Sequence, residues 1–245
     1  MRAWGITDIG LQRSENQDTY AIEQRTDGTC AAAVVCDGMG GVNGGRLASS
    51  IAVDTYITNT RALVRENMSV AQMREMQSFC VSQANAAVYE YAREDAACHG
   101  MGTTLVSALM FDGGAVVCNV GDSRAYHIGA HGITRITRDH SVVENLVCNG
   151  ELTPEQARNH PNRNLITRAL GPERAICCDL YDVAMQEGDS LLLCSDGLVI
   201  TVPDEEILEI VRGEADAQRC LSQLLARSRE NGAPDNVTAV LIQNC

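Results

Sequence analysis

The sequence contains no lysine, and all 19 of its basic residues are arginine. Three classes of enzyme depend on a lysine at the reacting group. A P-loop site needs one on the nucleotide phosphates, a protein kinase needs one on the α- and β-phosphates, and a pyridoxal enzyme forms a Schiff base with one. The absence of lysine excludes all three classes.

The sequence also lacks the cysteine pattern of a disulfide framework or a zinc site. Its 11 cysteines are an odd number, none forms a CxxC pair, and Cys36, Cys118 and Cys194 lie inside apolar runs. This usage is typical of buried thiols in a reducing compartment. No apolar run approaches the roughly 20 residues of a membrane span, and Asp8 falls where a signal peptide would need its apolar core. We therefore predict a cytoplasmic protein with no membrane partner.

The charge balance is acidic, with a formal net charge of -13. Such a chain repels phosphate backbones, which argues against a nucleic-acid partner, and it attracts cations. With 245 residues, 45% of them hydrophobic, the chain can bury a core without disulfides or a structural metal. No linker or repeat divides it, so we predict one domain over residues 1–245.

Hydrophobic periodicity predicts an order of strands, two long helices, strands, two helices and a final strand. The predicted strands are Trp4–Ile9, Thr19–Glu23, Ala31–Cys36, Thr103–Phe111, Ala115–Val120, Arg124–Ile128, Ile133–Thr137, Ala175–Ala184, Ser190–Cys194 and Asn236–Ile242. Strict strand–helix alternation is missing. The order therefore predicts an α+β fold with largely antiparallel sheets covered by helix pairs. A polar stretch over residues 141–171, with two short helical signals, is interpreted as a surface subdomain or flap.

Four aspartates occur in a similar setting, each at the edge of an apolar strand: Asp37, Asp122, Asp196 and Asp235. An isolated Asp-Gly pair is usually a turn. Four carboxylates gathered at one end of a sheet would repel one another and resist ionisation. Without lysine, a hard divalent cation is the natural counter-charge, and an all-oxygen site suits Mg²⁺ or Mn²⁺.

The N-terminal segment RSENQD contributes a further carboxylate, Asp18, and a guanidinium, Arg13. An arginine fork matches two oxygens of a phosphate. On its own, Arg13 would equally be a solvated surface residue.

Taken in order, these motifs resemble those of the metal-dependent protein phosphatases of the PPM class, also called type 2C, in their compact bacterial form. The matching segments are RSENQD at 13–18, VVCDGMGG at 34–41, GMGTTLVSAL at 100–109, CNVGDSRAY at 118–126, TRDHS at 137–141, NLITRALG at 164–171, LLLCSDGL at 191–198 and PDNVTAVL at 234–241. Each segment is weakly specific alone, but the ordered set covers nearly the whole chain.

The resemblance implies a four-layer α-β-β-α sandwich with a centre of two Mn²⁺ or Mg²⁺ ions at one end. It implies that Asp37 bridges both ions, that the carbonyl of Gly38 ligates one of them, and that Asp196 and Asp235 hold the other. Asp18 would act through water, Asp122 with Asp196 would form a weaker third site, and Arg13 would bind phosphate. The segment 141–171 would be the flap that shapes substrate access.

The implied activity is hydrolysis of phosphoserine and phosphothreonine in proteins, by a hydroxide that bridges the two ions and attacks phosphorus directly. The implied partners are phosphorylated proteins and a cognate bacterial serine/threonine kinase, and the implied state is a monomer. A nucleophilic cysteine is the competing mechanism, and we expect no cysteine to have that role. The group that protonates the leaving alkoxide is not assigned. Animal members of the family have a histidine where this chain has Met39, so the candidates for the general acid here are a water molecule, His140 and His160.

Two other interpretations remain. A pseudoenzyme on the same scaffold would bind phosphoproteins without hydrolysing them. Such a protein would be expected to have lost metal-binding carboxylates, but Asp37, Asp196 and Asp235 are all present. A phosphatase dedicated to a single phosphoprotein, such as an anti-sigma antagonist, is less favoured because the chain has no sensor domain.

Overall fold

A computed structural model describes residues 1–244 of the chain, except for the side chains of residues 41–43. The strands are β1 (Arg2–Asp8), β2 (Asp18–Gln24), β3 (Cys30–Met39), β4 (Gly102–Thr103), β5 (Leu105–Phe111), β6 (Gly114–Val120), β7 (Arg124–Gly129), β8 (Gly132–Arg135), β9 (Asp179–Ala184), β10 (Ser190–Cys194) and β11 (Val237–Gln243). The α-helices are α1 (Gly41–Leu63), α2 (Val70–Glu94), α3 (Val142–Cys148), α4 (Pro154–Arg158), α5 (Asp196–Thr201), α6 (Asp204–Gly213) and α7 (Ala217–Glu230).

The strands form two antiparallel sheets. One has the order β1-β11-β10-β7-β8, and the other has the order β2-β3-β5-β6-β9 with β4 paired to β3. Helices α1 and α2 cover the outer face of the second sheet, and α5, α6 and α7 cover the outer face of the first. The predicted α+β fold and its four-layer α-β-β-α arrangement are confirmed.

The central strands are apolar at successive positions because both of their faces are buried. In β3, Ala33 and Val35 face the other sheet, whereas Val34 and Cys36 face the helices. Successive side chains of a strand point to opposite faces, so a strand between two buried layers needs apolar residues on both. This packing fixes the register of β3, since a slip of one residue would exchange the two sets.

One predicted strand begins later than expected, and one helix was missed. The strand predicted over Ala175–Ala184 begins only at Asp179, because backbone carbonyls before it accept hydrogen bonds from side chains, Cys177 from Arg168 and Arg174 from Asn85. Helix α5 was not predicted, because its six residues are too few for a helical period to be visible.

The segment 141–171 carries α3 and α4 and rejoins the body at its C-terminal end. Ser141 forms an isolated bridge with Ile166, and Thr103 forms another with Leu170. Its Ser141 and Thr153 cap the two short helices, as the capping-box signal at Thr153 predicted. Among the described residues, no helix combines the length and the apolar character that crossing a bilayer requires.

Candidate active site

The sequence-predicted site residues converge on one cleft of about 550 Å³ at an end of the two sheets. Its lining includes Arg13, Asp37, Gly38, Asp122, Asp196 and Asp235. Asp37 lies near the end of β3, Asp122 follows β6, Asp196 follows β10 and Asp235 precedes β11. Because neighbouring strands are antiparallel, these positions all fall at the same end of the sandwich. Asp18 lies behind the cleft, 7% exposed and paired in register with Asp37.

The backbone of Asp37 is held on both sides by two threonines. Its N–H donates to Thr104 Oγ1 at 3.0 Å, and its carbonyl accepts from the Thr104 N–H and the Thr103 hydroxyl, both at 2.8 Å. The N–H of Gly38 donates to the carbonyl of Gln17 at 3.1 Å. These bonds tie the end of β3 to the junction of β4 and β5 on one side and to the residue before β2 on the other.

The segment that carries Arg13 is anchored by Asn236. The Asn236 amide accepts from the Gln17 N–H at 2.8 Å and donates to the carbonyls of Ile9 and Glu15. This places Arg13 Nη2 2.6 Å from Asp235 Oδ2. The Arg13 side chain is 54% exposed, so its guanidinium borders both the carboxylates and solvent.

Four buried carboxylates at the cleft resist ionisation, those of Asp18, Asp37, Asp122 and Asp196. Burial and repulsion by neighbouring carboxylates raise the pKa of Asp37 well above its usual range. Burial is also the largest cause that raises the pKa of Asp18 to about 7, of Asp122 to about 8 and of Asp196 to about 6, and nearby aspartates add to each shift. A site of this kind gains stability from a cation, because a positive charge favours the ionised form of every member.

Two carboxylate oxygens of the site fit this need directly. Asp18 Oδ1 and Asp196 Oδ1 are buried and have no hydrogen-bond partner among the described residues. A buried ionised oxygen without a partner is costly, and a metal ion, or a water molecule bound to one, would satisfy it. Within residues 1–244, no group of three or more His, Cys, Asp or Glu side chains is arranged so that it could hold a metal ion as it stands. The donors are hard oxygens, which suit Mg²⁺ or Mn²⁺.

A cysteine nucleophile is not available at this site. Cys118 stands six residues before Arg124, which is the C-x₅-R spacing of phosphatases with a nucleophilic cysteine. However, Cys118 is fully buried in β6, and burial raises the pKa of its thiol far above the usual value. Arg124 forms a bidentate ion pair with Asp139, with Nη2–Oδ2 at 2.6 Å and Nε–Oδ1 at 3.0 Å.

The two histidines considered as general acids do not line the cleft. His140 Nδ1 accepts the N–H of Gly121 at 3.0 Å, so the proton of the neutral ring lies on Nε2, which is 3.1 Å from Asp179 Oδ2. Burial lowers the pKa of His140, which favours this neutral form. His140 therefore ties the loop before Asp122 to β9. His160 Nδ1 accepts a backbone N–H within the segment 141–171.

Several site residues were missed by the sequence analysis. They include Gln17, Thr104, Ser195 and Asn236, whose side chains or backbone atoms hold the carboxylates in place. Three of them adjoin a predicted aspartate in the sequence, and Thr104 lies in a quoted motif. Their position beside a predicted aspartate, or within a quoted motif, was the signal that could have identified them as site residues. Their hydrogen-bond partners lie far away in the sequence, so the contacts themselves could not be inferred.

Gly197 sets the distance between the two strand ends that carry Asp196 and Asp235. A Cβ at this position would lie 2.0 Å from the carbonyl oxygen of Asn236. We expect Gly197→Ala to lower the free energy of unfolding by about 2–3 kcal/mol, because the backbone must shift, and to weaken Mn²⁺ binding as the two carboxylates separate. Thermal unfolding and calorimetric Mn²⁺ titration measure the two effects.

Gly213→Ala is the matched control for this change, because a Cβ at that helix end meets nothing within 4 Å. Equal behaviour of the two variants would contradict the role of Gly197 as a spacer.

Comparisons with known proteins agree with this geometry. The family model described as protein phosphatase 2C matches residues 12–242. The serine/threonine phosphatase stp of Listeria monocytogenes is 35% identical over 247 residues, covering 99% of this chain and 96% of that protein. The protein phosphatase PhpP of Streptococcus pneumoniae is 33% identical, covering 97% and 95%. The crystal structure of serine/threonine phosphatase Stp1 from Staphylococcus aureus superposes with a TM-score of 0.90 at 38% identity, covering 98% of this chain and 93% of that one.

The match to the family model spans most of the chain, and the relatives match over nearly their whole length. The chain belongs to the protein phosphatase 2C family, whose members are metal-dependent protein phosphatases.

Proposed function

We propose that this protein hydrolyses phosphoserine and phosphothreonine in proteins, with two Mn²⁺ or Mg²⁺ ions held in the cleft. The observation that carries the proposal is the convergence of Asp37, Asp196 and Asp235 beside Arg13 in one open cleft. The alternatives that use a lysine or a cysteine lack their reactive group at this place.

The ligand set that we propose is the one that the family resemblance implies. Asp37 would bridge the ions, with the carbonyl of Gly38, the next residue, as a further ligand. Asp196 and Asp235 would hold the second ion. Asp18 would act from behind the cleft through water, and Asp122 with Asp196 would hold a weaker third ion.

The ions, when bound, would lower the pKa of a shared water and so supply the nucleophile at neutral pH. The chain's own residues would do the rest. The guanidinium of Arg13 would bind the phosphate oxygens at the solvent side and stabilise their charge as the transition state forms. The described cleft lining contains no histidine, so the proton for the serine or threonine alkoxide would come from water.

The partners that we propose are phosphorylated proteins and a cognate serine/threonine kinase, with the enzyme acting as a monomer. A single domain over 1–245, with the segment 141–171 as a flap at the cleft, fits this role, since Asn164 and Ile166 line the cleft. The ten described cysteines are free thiols, which supports a reducing, cytoplasmic setting.

Hydrolysis of a phosphothreonine peptide tests the proposal. We expect turnover with Mn²⁺ and a fall to background when a chelator removes the metal, because the carboxylates alone provide no nucleophile. Phosphate release is the readout, and re-addition of Mn²⁺ should restore it. Turnover that persists in chelator, or no turnover in either condition, would contradict the proposal. Peptide binding without turnover would indicate a pseudoenzyme instead.

A further inference from the structure

Ser195 lies where the two sheets meet behind the cleft, and it joins them through its side chain. It is fully buried between the end of β10 and the start of α5. Its Oγ is 2.7 Å from Asp18 Oδ2, on the first residue of β2 in the other sheet. Ser195 therefore links a carboxylate of one sheet to the strand end that carries Asp196 in the other.

The direction of these hydrogen bonds is fixed by the groups involved. The N–H of Thr238 donates to Ser195 Oγ at 3.0 Å, so that contact uses an acceptor site of the hydroxyl. The single Ser195 hydroxyl proton is then free to donate to Asp18 Oδ2. The N–H of Ser195 donates to the Thr238 carbonyl at 3.0 Å, which holds the serine backbone as well. The serine is thus a fixed donor aimed at one carboxylate oxygen.

The second carboxylate oxygen of Asp18, Oδ1, receives no hydrogen bond from any described residue. Asp18 Oδ1 is buried and unpaired among the described residues, and so is Asp196 Oδ1 on the residue next to Ser195. Asp18 and Asp196 repel each other, and this repulsion contributes to the raised pKa of Asp18. Ser195 thus donates to one of the two carboxylates and directly precedes the other in the chain, and one oxygen of each has no hydrogen-bond partner among the described residues.

We propose that Ser195 is a positioning residue for the metal centre. Through its hydrogen bond to Asp18, it orients the carboxylates of the site for binding divalent cations. The inference rests on the proposed function. Groups that orient metal-binding side chains typically change metal affinity by about 10–100-fold when they are removed. Ser195 matches this class, because it contacts a carboxylate of the site and reaches it with a single well-oriented donor.

The test is calorimetric titration of the full-length protein with Mn²⁺, with Ser195→Ala compared to the wild type. We expect the Kd for Mn²⁺ to rise by about 10–100-fold. Ser107→Ala is the matched control, since Ser107 is also fully buried and donates its hydroxyl to Gln77 Oε1 at 2.8 Å under α2. Ser107→Ala removes one buried hydrogen bond, whereas Ser195→Ala removes two, the donation to Asp18 and the acceptance of the Thr238 N–H. Only the change at Ser195 should weaken Mn²⁺ binding.

A double-mutant cycle with Asp18→Asn separates positioning from general destabilisation. If Ser195 acts through Asp18, Ser195→Ala should weaken Mn²⁺ binding in the wild type and have little further effect in the Asp18→Asn background. Equal effects in both backgrounds would overturn the inference. So would an unchanged Kd in Ser195→Ala.

Ser195→Thr provides a second variant if Ser195→Ala does not fold. It keeps the hydroxyl donor and should bind Mn²⁺ more tightly than Ser195→Cys, whose thiol is a weak donor. The reverse order would contradict the proposal. A wild-type protein that binds no Mn²⁺ would instead contradict the proposed function, so the two failures are distinguishable.

Discussion

Asp37→Asn is expected to reduce kcat for a phosphothreonine peptide by on the order of a thousandfold or more. Burial raises the pKa of Asp37, and the charges of four other aspartates, Asp18, Asp196, Asp122 and Asp235, raise it further. A bound cation contributes several kcal/mol of charge stabilisation, and each about 1.36 kcal/mol corresponds to a tenfold change in rate. Asparagine keeps the shape but removes the charge that would hold two ions together.

The same change should stabilise the metal-free protein. The pKa of Asp37 is higher in the folded chain than its value of about 3.9 in an unfolded chain, so the folded state is penalised as the pH rises above the unfolded value. Asparagine removes that penalty. Thermal unfolding in chelator at neutral pH should therefore give a higher Tm for Asp37→Asn than for the wild type, while added Mn²⁺ raises the Tm of the wild type only.

Asp54→Asn is the control, because Asp54 is an exposed residue of α1. It should leave both kcat and the Tm unchanged. Near wild-type kcat in Asp37→Asn would show that the ligand assignment is wrong. A lower Tm in chelator would show that the charge of Asp37 is compensated within the chain.

The order of elements could be predicted from the sequence because the strands and the helices of the different layers each show a characteristic hydrophobic periodicity. The central strands contain long apolar runs, as residues 30–36 of β3 do, and the covering helices repeat their buried residues at helical spacing, as Cys80, Ala84 and Val88 do in α2. The predictions fail where the sequence shows no hydrophobic periodicity. The six residues of α5 are too few to show one. In the stretch before β9, Ile176 and Cys178 pack against the core without joining a sheet.

The candidate site was likewise only partly predictable from the sequence. The aspartates could be identified because each interrupts an apolar run at a strand end, and the ordered motifs strengthened the assignment. What joins them could not be identified. The Asp18–Ser195 contact spans 177 positions in the chain, and the Asn236 contacts to Ile9 and Glu15 span more than 200. The fold alone brings these pairs together, and a serine or asparagine beside a motif has no pattern that reveals its partner.

Arg13→Ala is expected to lower kcat/KM for the phosphothreonine peptide by roughly a hundredfold, because a lost donor to a developing anionic oxygen typically costs 10²–10³ in rate. Arg13 is half exposed at the mouth of the cleft and lies 2.6 Å from Asp235, so it borders the position where a phosphate would enter. The carboxylate cluster remains intact in this variant. Its Kd for Mn²⁺ should therefore stay equal to the wild-type value or fall, since Asp235 loses a competing cation.

This split would separate Arg13 from the proposed metal ligands, because the substitution is expected to lower turnover while metal binding is kept. Arg13→Lys should recover only part of the activity, since an ammonium group lacks the planar fork that contacts two phosphate oxygens. Arg61→Ala is the control, as Arg61 is similarly exposed and also pairs with a carboxylate, that of Glu23. If Arg13→Ala weakened Mn²⁺ binding as much as it weakened turnover, Arg13 would be holding the carboxylates in place and would not be a phosphate-binding group.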